Sequence, residues 1–173
     1  EQILDDGGHF ERSPMYHRII LERLLDCINL LKNNERFGNQ EKLLNLMTTK
    51  AQHMLGWLNC MTFSNGHTPH LNDSAPNIAP TTKQLNDYAG HLSIIHDNSF
   101  IRENSCLAGK QACNSWTDSC NSWTASGYRR FIHPHYECIL DIGPIGPSYQ
   151  PGHAHADTFS FVLYINNHPL FID

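Results

Sequence analysis

The sequence predicts a multidomain α and β chain, in which a helical domain is followed by an antiparallel β-sandwich. Three observations carry this reading. Apolar residues recur at helical spacing up to about residue 92, they alternate after about residue 127, and Gly-, Pro- and Asn-rich segments separate the periodic runs. The change of period places the boundary between 93 and 126.

The first helix is expected from Met15 to about Lys32, with Tyr16, Ile19, Ile20, Leu24, Cys27, Ile28 and Leu31 on one stripe. Pro14 suits a first helical turn, and Ser13 before it can cap the helix. A second helix runs from about Gln40 to Met61, with Leu43, Leu44, Met47, Ala51, Met54, Leu55 and Leu58 on one face. The break between them falls at Phe37-Gly38-Asn39. Residues 62–80 form a long loop, and a third helix spans about Thr82 to Leu92, where Thr81 and Gln84 have capping-box spacing. Gly127 to His133 and His135 to Ile142 read as strands interrupted by Pro134, which has no N–H for a ladder. Thr158 to Ile165 reads as a further strand, joined through Asn166-Asn167 to the run His168 to Asp173.

Composition narrows the class of function. The 173 residues carry 17 acidic and 12 basic side chains, a formal net charge of -5, and no clustered basic face of the kind nucleic acid requires. No apolar run approaches the roughly 20 residues of a membrane span. Twelve histidines equal the whole Lys+Arg count, which raises the prospect of metal binding or proton transfer. Six cysteines are too few for a disulfide scaffold at this length; Cys27 and Cys60, within helical patterns, are expected as small buried hydrophobes. The chain opens on Glu1 without a start methionine or leader and closes on a strand-like run, and it reads as a piece of a longer protein.

A seven-residue tandem repeat, Cys113 to Ser119 and Cys120 to Ser126, is too short for a solenoid unit and reads as a local duplication. Grouping Cys113, Cys120 and Cys138 with His133 and His135 as a zinc site does not match the closely spaced ligand pairs of structural zinc.

Two segments carry chemistry. Asp6-Gly7-Gly8-His9-Phe10-Glu11-Arg12-Ser13-Pro14-Met15-Tyr16-His17 packs titratable side chains ahead of a helix start, where free N–H groups favour anions. In Gly152-His153-Ala154-His155-Ala156-Asp157 an extended backbone would turn residues 153, 155 and 157 to one face. Two imidazoles and a carboxylate would then converge, with His-x-His spacing suited to Zn²⁺ and Asp157 available to orient an imidazole.

These two segments resemble the signature segments of the heparinase II/III-like polysaccharide lyases. Ser126-Gly127-Tyr128-Arg129, Gly143-Pro144-Ile145-Gly146 and Asn167-His168-Pro169-Leu170-Phe171-Ile172-Asp173 are similar to that family's linking region and following strand. The resemblance implies the end of an (α/α) toroid over 1–100 and the start of an antiparallel β-sandwich over 101–173. It implies elimination across the bond to O4 of a uronic acid, with an acidic polysaccharide as partner. Tyr16 matches the family's catalytic tyrosine, and His153 a reaction-centre histidine able to act as base toward one uronate epimer. His9, Glu11, Arg12 and His17 would lie along the substrate. A tyrosinate at Tyr16 would need positive charge nearby, for which Arg12, His9 and His17 are the local candidates; Arg12 is also expected to pair with Glu11.

His155 and Asp173 match metal ligands, the metal being zinc in an organising role. A regular hairpin would set Asp173 opposite Ser160, about 17 Å along the strand from His155, so shared coordination needs residues 153–157 to curl back. The family's uronate-neutralising Asn or His motif would precede Glu1, and a further ligand histidine and a second tyrosine would follow Asp173. The resemblance implies a bacterial periplasmic or cell-envelope setting without excluding the cytoplasm. The alternative is a non-catalytic, metal-stabilised polysaccharide-binding or surface-glycan biosynthesis protein of the same fold.

Overall fold

The structure, a computed structural model, describes residues 2–34, 40–95, 119–145 and 155–172. Three helices come first: α1 (Pro14–Lys32), α2 (Glu41–Cys60) and α3 (Thr82–His91). Five strands follow: β1 (Ser119–Trp123), β2 (Tyr128–His133), β3 (Tyr136–Asp141), β4 (Phe161–Ile165) and β5 (His168–Phe171). Among the described residues they form one antiparallel sheet in sequence order. The helical and strand-rich halves therefore fall where the period changes. No helix among the described residues is long and apolar enough to cross a membrane.

The helix starts follow from side-chain chemistry. Ser13 Oγ accepts from Tyr16 N and caps α1, whose first position is Pro14. Thr81 and Gln84 make the reciprocal capping box of α3. The Phe37-Gly38-Asn39 break lies outside the described residues.

The buried stripe of α1 differs from the expected one. Met15, Leu21, Leu25 and Ile28 form it, Ile20 and Leu24 lie at its margin, and Cys27 is exposed. The reason is that α1 also seats His17 and Arg18 inward, against Met54 O and Pro80 O, which rotates the stripe. Cys60 is buried as expected. On α2 the C-terminal half is buried from Ala51 onward, whereas Leu43 and Leu46 are exposed.

Two hydrophobic clusters result. One joins α1, α2 and α3 around Leu21, Leu25, Met54, Leu55 and Leu85. The other joins the end of α2 to one face of the sheet through Trp57, Met61, Phe63, Trp123, Tyr128, Ile139, Val162 and Tyr164. Burial alternates along β3, with Glu137, Ile139 and Asp141 inward, as a half-buried strand requires. Arg130 and Glu137 form a buried ion pair, anchored by Cys60 O and Ser64 N, that pins the sheet to the end of α2.

β4 starts later than expected. Phe159 has φ of +73° and Ser160 N donates to Asp157 O at 2.7 Å, so 157–160 form a turn and the strand begins at Phe161. The β4–β5 register is also irregular: Ile165 pairs with His168 and Tyr164 with Pro169, but Leu163 pairs with Phe171. One residue of β5 is bulged out, so the regular spacing expected for this hairpin does not hold beyond Tyr164. The second copy of the repeat supplies most of β1 and buries Trp123; of the first copy only Ser119, which opens β1, is among the described residues.

His17 has no solvent exposure. Its ring packs on Trp57 with centroids 4.4 Å apart, its Nε2 lies 3.0 Å from Met54 O, and its Nδ1 accepts from His9 N at 3.2 Å. Burial, more than any other cause, pushes its pKa down to about 3 from the usual 6.5, so the folded ring stays neutral. The unfolded chain binds a proton at His17 that the folded chain does not. Stability from this group is therefore complete above pH 6.5 and declines as pH falls toward 3, by up to about 1.4 kcal/mol per unit. Urea midpoints of wild type and His17→Gln, compared from pH 7.5 to 4.5, are expected to show a steeper acid loss in wild type. Parallel curves would contradict the assignment.

Candidate functional site

The segment Asp6–His17 is folded against both halves of the protein. Asp6 is buried; its Oδ1 accepts from Gly8 N at 3.1 Å, and its Oδ2 accepts from Ser126 N and Ser126 Oγ at 2.6 and 2.8 Å. Ser126 Oγ in turn accepts from Trp57 Nε1 at 3.1 Å. The Asp-Gly-Gly-His run owes its glycines to this fit: Gly7 has φ of +85°, and a Cβ there would stand 2.4 Å from His53 O.

Ahead of α1 the chain turns at Arg12, with φ of +63°. The Arg12 guanidinium donates to Pro144 O, and Arg12 O accepts from the Tyr128 hydroxyl at 2.6 Å. Burial lowers the Arg12 pKa against the opposing pull of Asp141, Tyr128 and Asp6. The expected partner Glu11 lies elsewhere, with its carboxylate 3.9 Å from His9 Nδ1. Glu11 can pair with an extended neighbour, but Arg12 in a left-handed turn points away to the sheet.

Tyr16 stands on the first turn of α1, partly exposed, and its phenol is hydrogen-bonded to Asp73. Its pKa is raised by desolvation and by the carboxylates of Asp73 and Glu11. Of the local candidates for a positive neighbour, His17 is neutral and buried and the Arg12 guanidinium donates to Pro144 O. His9 is 2% exposed and His17 is inside the domain, so neither presents its ring to a ligand at the surface. The loop-plus-cap conformation turns both inward, where His17 Nδ1 accepts from His9 N. Of the four expected contacts, Glu11 and Arg12 remain partly exposed.

Asp73 belongs to the loop between α2 and α3 and was not among the candidates. Its signal was faint, an Asn-Asp pair of the kind that tolerates left-handed backbone. Asn72 and Asp73 do adopt it, with φ of +52° and +44°. Tertiary contacts hold them there. Asn72 N donates to Asp157 Oδ2 at 2.6 Å, and Asn72 Nδ2 donates to Asp141 Oδ2 at 2.6 Å and to the Tyr128 hydroxyl at 2.9 Å. Asp73 O accepts from Ser13 Oγ at 3.2 Å, and Ser74 Oγ accepts from Met15 N at 3.2 Å. The turn is thereby tied to the start of α1 and to the sheet. Burial raises the pKa of Asp141 despite its bonds from Gly143 N and Asn72, and raises that of Tyr128 well above 10.

The second segment reaches the same place. His155 is half exposed, and its Nε2 lies 3.9 Å from Asp73 Oδ1. Asp157 is buried, and among the described residues its carboxylate is met by the Asn72 amide rather than by an imidazole. His153 and Asp173 lie outside the described residues. No group of three or more His, Cys, Asp or Glu suited to a metal occurs among the described residues. The described side chains thus offer a metal His155 and little else, and they do not by themselves compose a zinc site. A cleft of about 520 Å³ lies at the other end of the sheet between the two hairpin turns and includes His133, Tyr136 and Asn166. Tyr136 stands five residues along β3 from Asp141, about 17 Å at strand rise, so this cleft is separate from the Tyr16 cluster.

What converges is a surface cluster of Tyr16, Asp73 and His155, flanked by Glu11. A phenol paired with a carboxylate beside an imidazole can exchange protons with a bound molecule.

Comparison with known proteins identifies the family. The model of the heparinase II/III N-terminus matches residues 1–102, and that of the heparinase II/III-like C-terminal region matches 118–173. No curated protein matches the sequence. Among solved structures, heparan sulfate lyase HepC from Pedobacter heparinus superposes with a TM-score of 0.67 at 20% identity over 99% of this chain. A heparinase III gene product superposes with a TM-score of 0.65 at 17% identity, again over 99% of this chain. The chain spans 26% of the length of each. At these identities the structures share the fold, and the two matched models establish that the chain belongs to the heparinase II/III-like family.

Proposed function

We propose that the chain is part of a polysaccharide lyase that cleaves uronate-containing glycans by β-elimination. The observation that carries this reading is the meeting of the two signature segments at one spot: Tyr16 from the first and His155 from the second flank the same carboxylate, Asp73. Residues so distant in sequence are brought together by long-range contacts through Asn72 and Asp157.

In the proposed reaction the proton at C5 of the uronate is removed, and its electron pair moves into the carboxylate group. That pair then forms the C4=C5 double bond as the C4–O4 bond breaks and O4 is protonated. Tyr16 serves as acid and base, placed at a partly exposed position on a rigid helix turn. His153, two residues before His155, assists as base toward one epimer. Glu11 and Arg12 border the approach to Tyr16, whereas His9 and His17 act from beneath.

The same reading extends to architecture. The helices would close a toroid spanning 1–100, and the sheet would be one half of a sandwich in 101–173. The sheet supports this by being apolar on both faces. One face is buried against α2, while the other presents Phe161, Ile165 and Phe171 to solvent, each at least 39% exposed. An exposed apolar face of this size is what a second sheet would cover.

A structural zinc, held by His155 and Asp173, belongs to the proposal. It would organise the loop around His155, and no step of the elimination is drawn through it. A periplasmic or envelope location suits an enzyme that meets acidic polysaccharide.

Incubation of the intact protein with a panel of uronate polymers, followed by the ultraviolet absorbance of the unsaturated uronate, is expected to show product with at least one of them. Tyr16→Phe should lower the rate by about 100-fold or more. A wild type silent on every polymer would leave a binding protein of the same fold. Elemental analysis is expected to find zinc in the purified protein and a loss of it in His155→Ala; equal metal content in both would remove zinc from His155.

A further inference from the structure

We infer that a cleft between α1 and the loop joining α2 to α3, walled by Arg18, His67 and His70, binds a phosphate or sulfate group, free or as the ester of a small molecule. The site does not depend on the lyase reading.

Burial without a counter-charge is the first argument. Arg18 and Arg130 are buried to the same degree, each 8% exposed. Arg130 is paired with Glu137 and also donates to Cys60 O. Arg18 donates to Pro80 O at 3.3 Å, and among the described residues no carboxylate pairs with it. Its Nε, like that of Arg130, is buried without an acceptor. A guanidinium carries five N–H donors and keeps its charge. Taking that charge out of water is costly unless an anion compensates it. Arg130 has its anion within the chain; for Arg18 the anion has to come from outside.

The surroundings of Arg18 suit that anion. The cleft measures about 320 Å³, at the lower end of the roughly 300–1,000 Å³ of small-molecule sites, and no Asp or Glu lines it. His67, Thr68, His70 and Asn77 line it with Arg18, adding two imidazoles, a hydroxyl and a carboxamide. Among the described residues none of these four side chains is taken up by a hydrogen bond. The Thr81 hydroxyl at the rim differs, because the capping box with Gln84 occupies it.

Charge adds to the case. Burial lowers the pKa of His70, and its neighbours Arg18 and His67 lower it further by repulsion between positive charges. An anion seated among the three turns that repulsion into shared attraction. Three groups able to carry positive charge, with no negative one beside them, fit a doubly charged oxyanion better than a single carboxylate, and the planar guanidinium can take two of its oxygens. Arg18 follows Tyr16 by two residues on α1, about 200° around the helix, so this cleft and the Tyr16 cluster lie on different sides of it.

Isothermal calorimetry on the intact protein tests the site with sodium phosphate, sodium sulfate, glucose 6-phosphate and sodium acetate, at one ionic strength set with chloride. At least one of the first three is expected to bind, one per chain, about tenfold or more tightly than acetate. Glucose 6-phosphate ahead of inorganic phosphate supports the site with an ester as ligand, and the reverse order supports it with the free ion. Arg18→Gln should weaken the best binder by about tenfold or more, and His70→Gln by about threefold. Asn77→Asp leaves the core untouched: the position is exposed, and its φ of +62° suits Asp as well as Asn. The added carboxylate should weaken binding by about tenfold. Failure of all three oxyanions to bind wild type overturns the site. So does acetate binding as tightly as they do, or an affinity unchanged in both Asn77→Asp and His70→Gln, results that stand even if Arg18→Gln does not fold.

Discussion

The side chain of Asn72 is buried, and a buried amide must find its partners within the protein. It finds them in Asp141 and Tyr128 on the sheet, while its backbone N–H is taken by Asp157. Each of those groups is itself buried, so removing the amide would strand several polar atoms at about 1–3 kcal/mol apiece. The consequences spread outward. Because Asn72 is fixed, Asp73 is fixed; because Asp157 is drawn in to Asn72, His155 two residues earlier is brought to within 3.9 Å of Asp73. One loop residue between two helices thus sets the positions of groups from the first helix and from the sheet.

A second polar bridge makes that arrangement rigid. Asp6, Ser126 and Trp57 join the N-terminal segment, the β1–β2 turn and α2 in one chain of hydrogen bonds. Gly127 completes the turn at φ of +88°, so close to Gly143 that a Cβ would stand 2.1 Å from its Cα. Trp57 also supplies apolar contact, packing edge-on to Tyr128 and beneath His17. Helices and sheet therefore share both a hydrophobic cluster and a hydrogen-bonded seam. A site assembled from the two halves needs such stiffness, because small misplacements of reacting groups cost large factors in rate.

Local rules made most of the elements legible. Ser13 and Pro14, or Thr81 and Gln84, act within one helical turn, and Pro134 interrupts its own strand, so the caps and the β2–β3 hairpin could be read from the sequence. The rotation of α1 could not, because it answers to Met54 and Pro80, partners distant in sequence. The same holds for the late start of β4, since Phe159 turns left-handed where its N–H reaches Asp141 O. Resemblance singled out Tyr16, His153 and His155 by their motifs. It was silent on Asp73 and Asn72, whose importance comes from contacts to Tyr16, Asp141 and Asp157 rather than from any spacing of their own. Arg12 and His17, conspicuous in a motif, also make contacts that no spacing announced, with Pro144 O and Met54 O.

The electrostatics around Tyr16 also bear on how an acidic sugar would sit. Asp73 and Glu11 border the phenol, and both carry negative charge when ionised. A uronate carboxylate brought beside them would be repelled, at short range and near a protein surface by an amount on the order of several kcal/mol. C5 bears both the carboxylate and the acidic hydrogen, on different directions of one tetrahedral carbon. A pose with the carboxylate turned away from Asp73 and Glu11 would leave that hydrogen free to face the phenol. Under the proposed lyase reading, Asp73 and Glu11 would thus bear on the pose of the uronate as well as on the phenol.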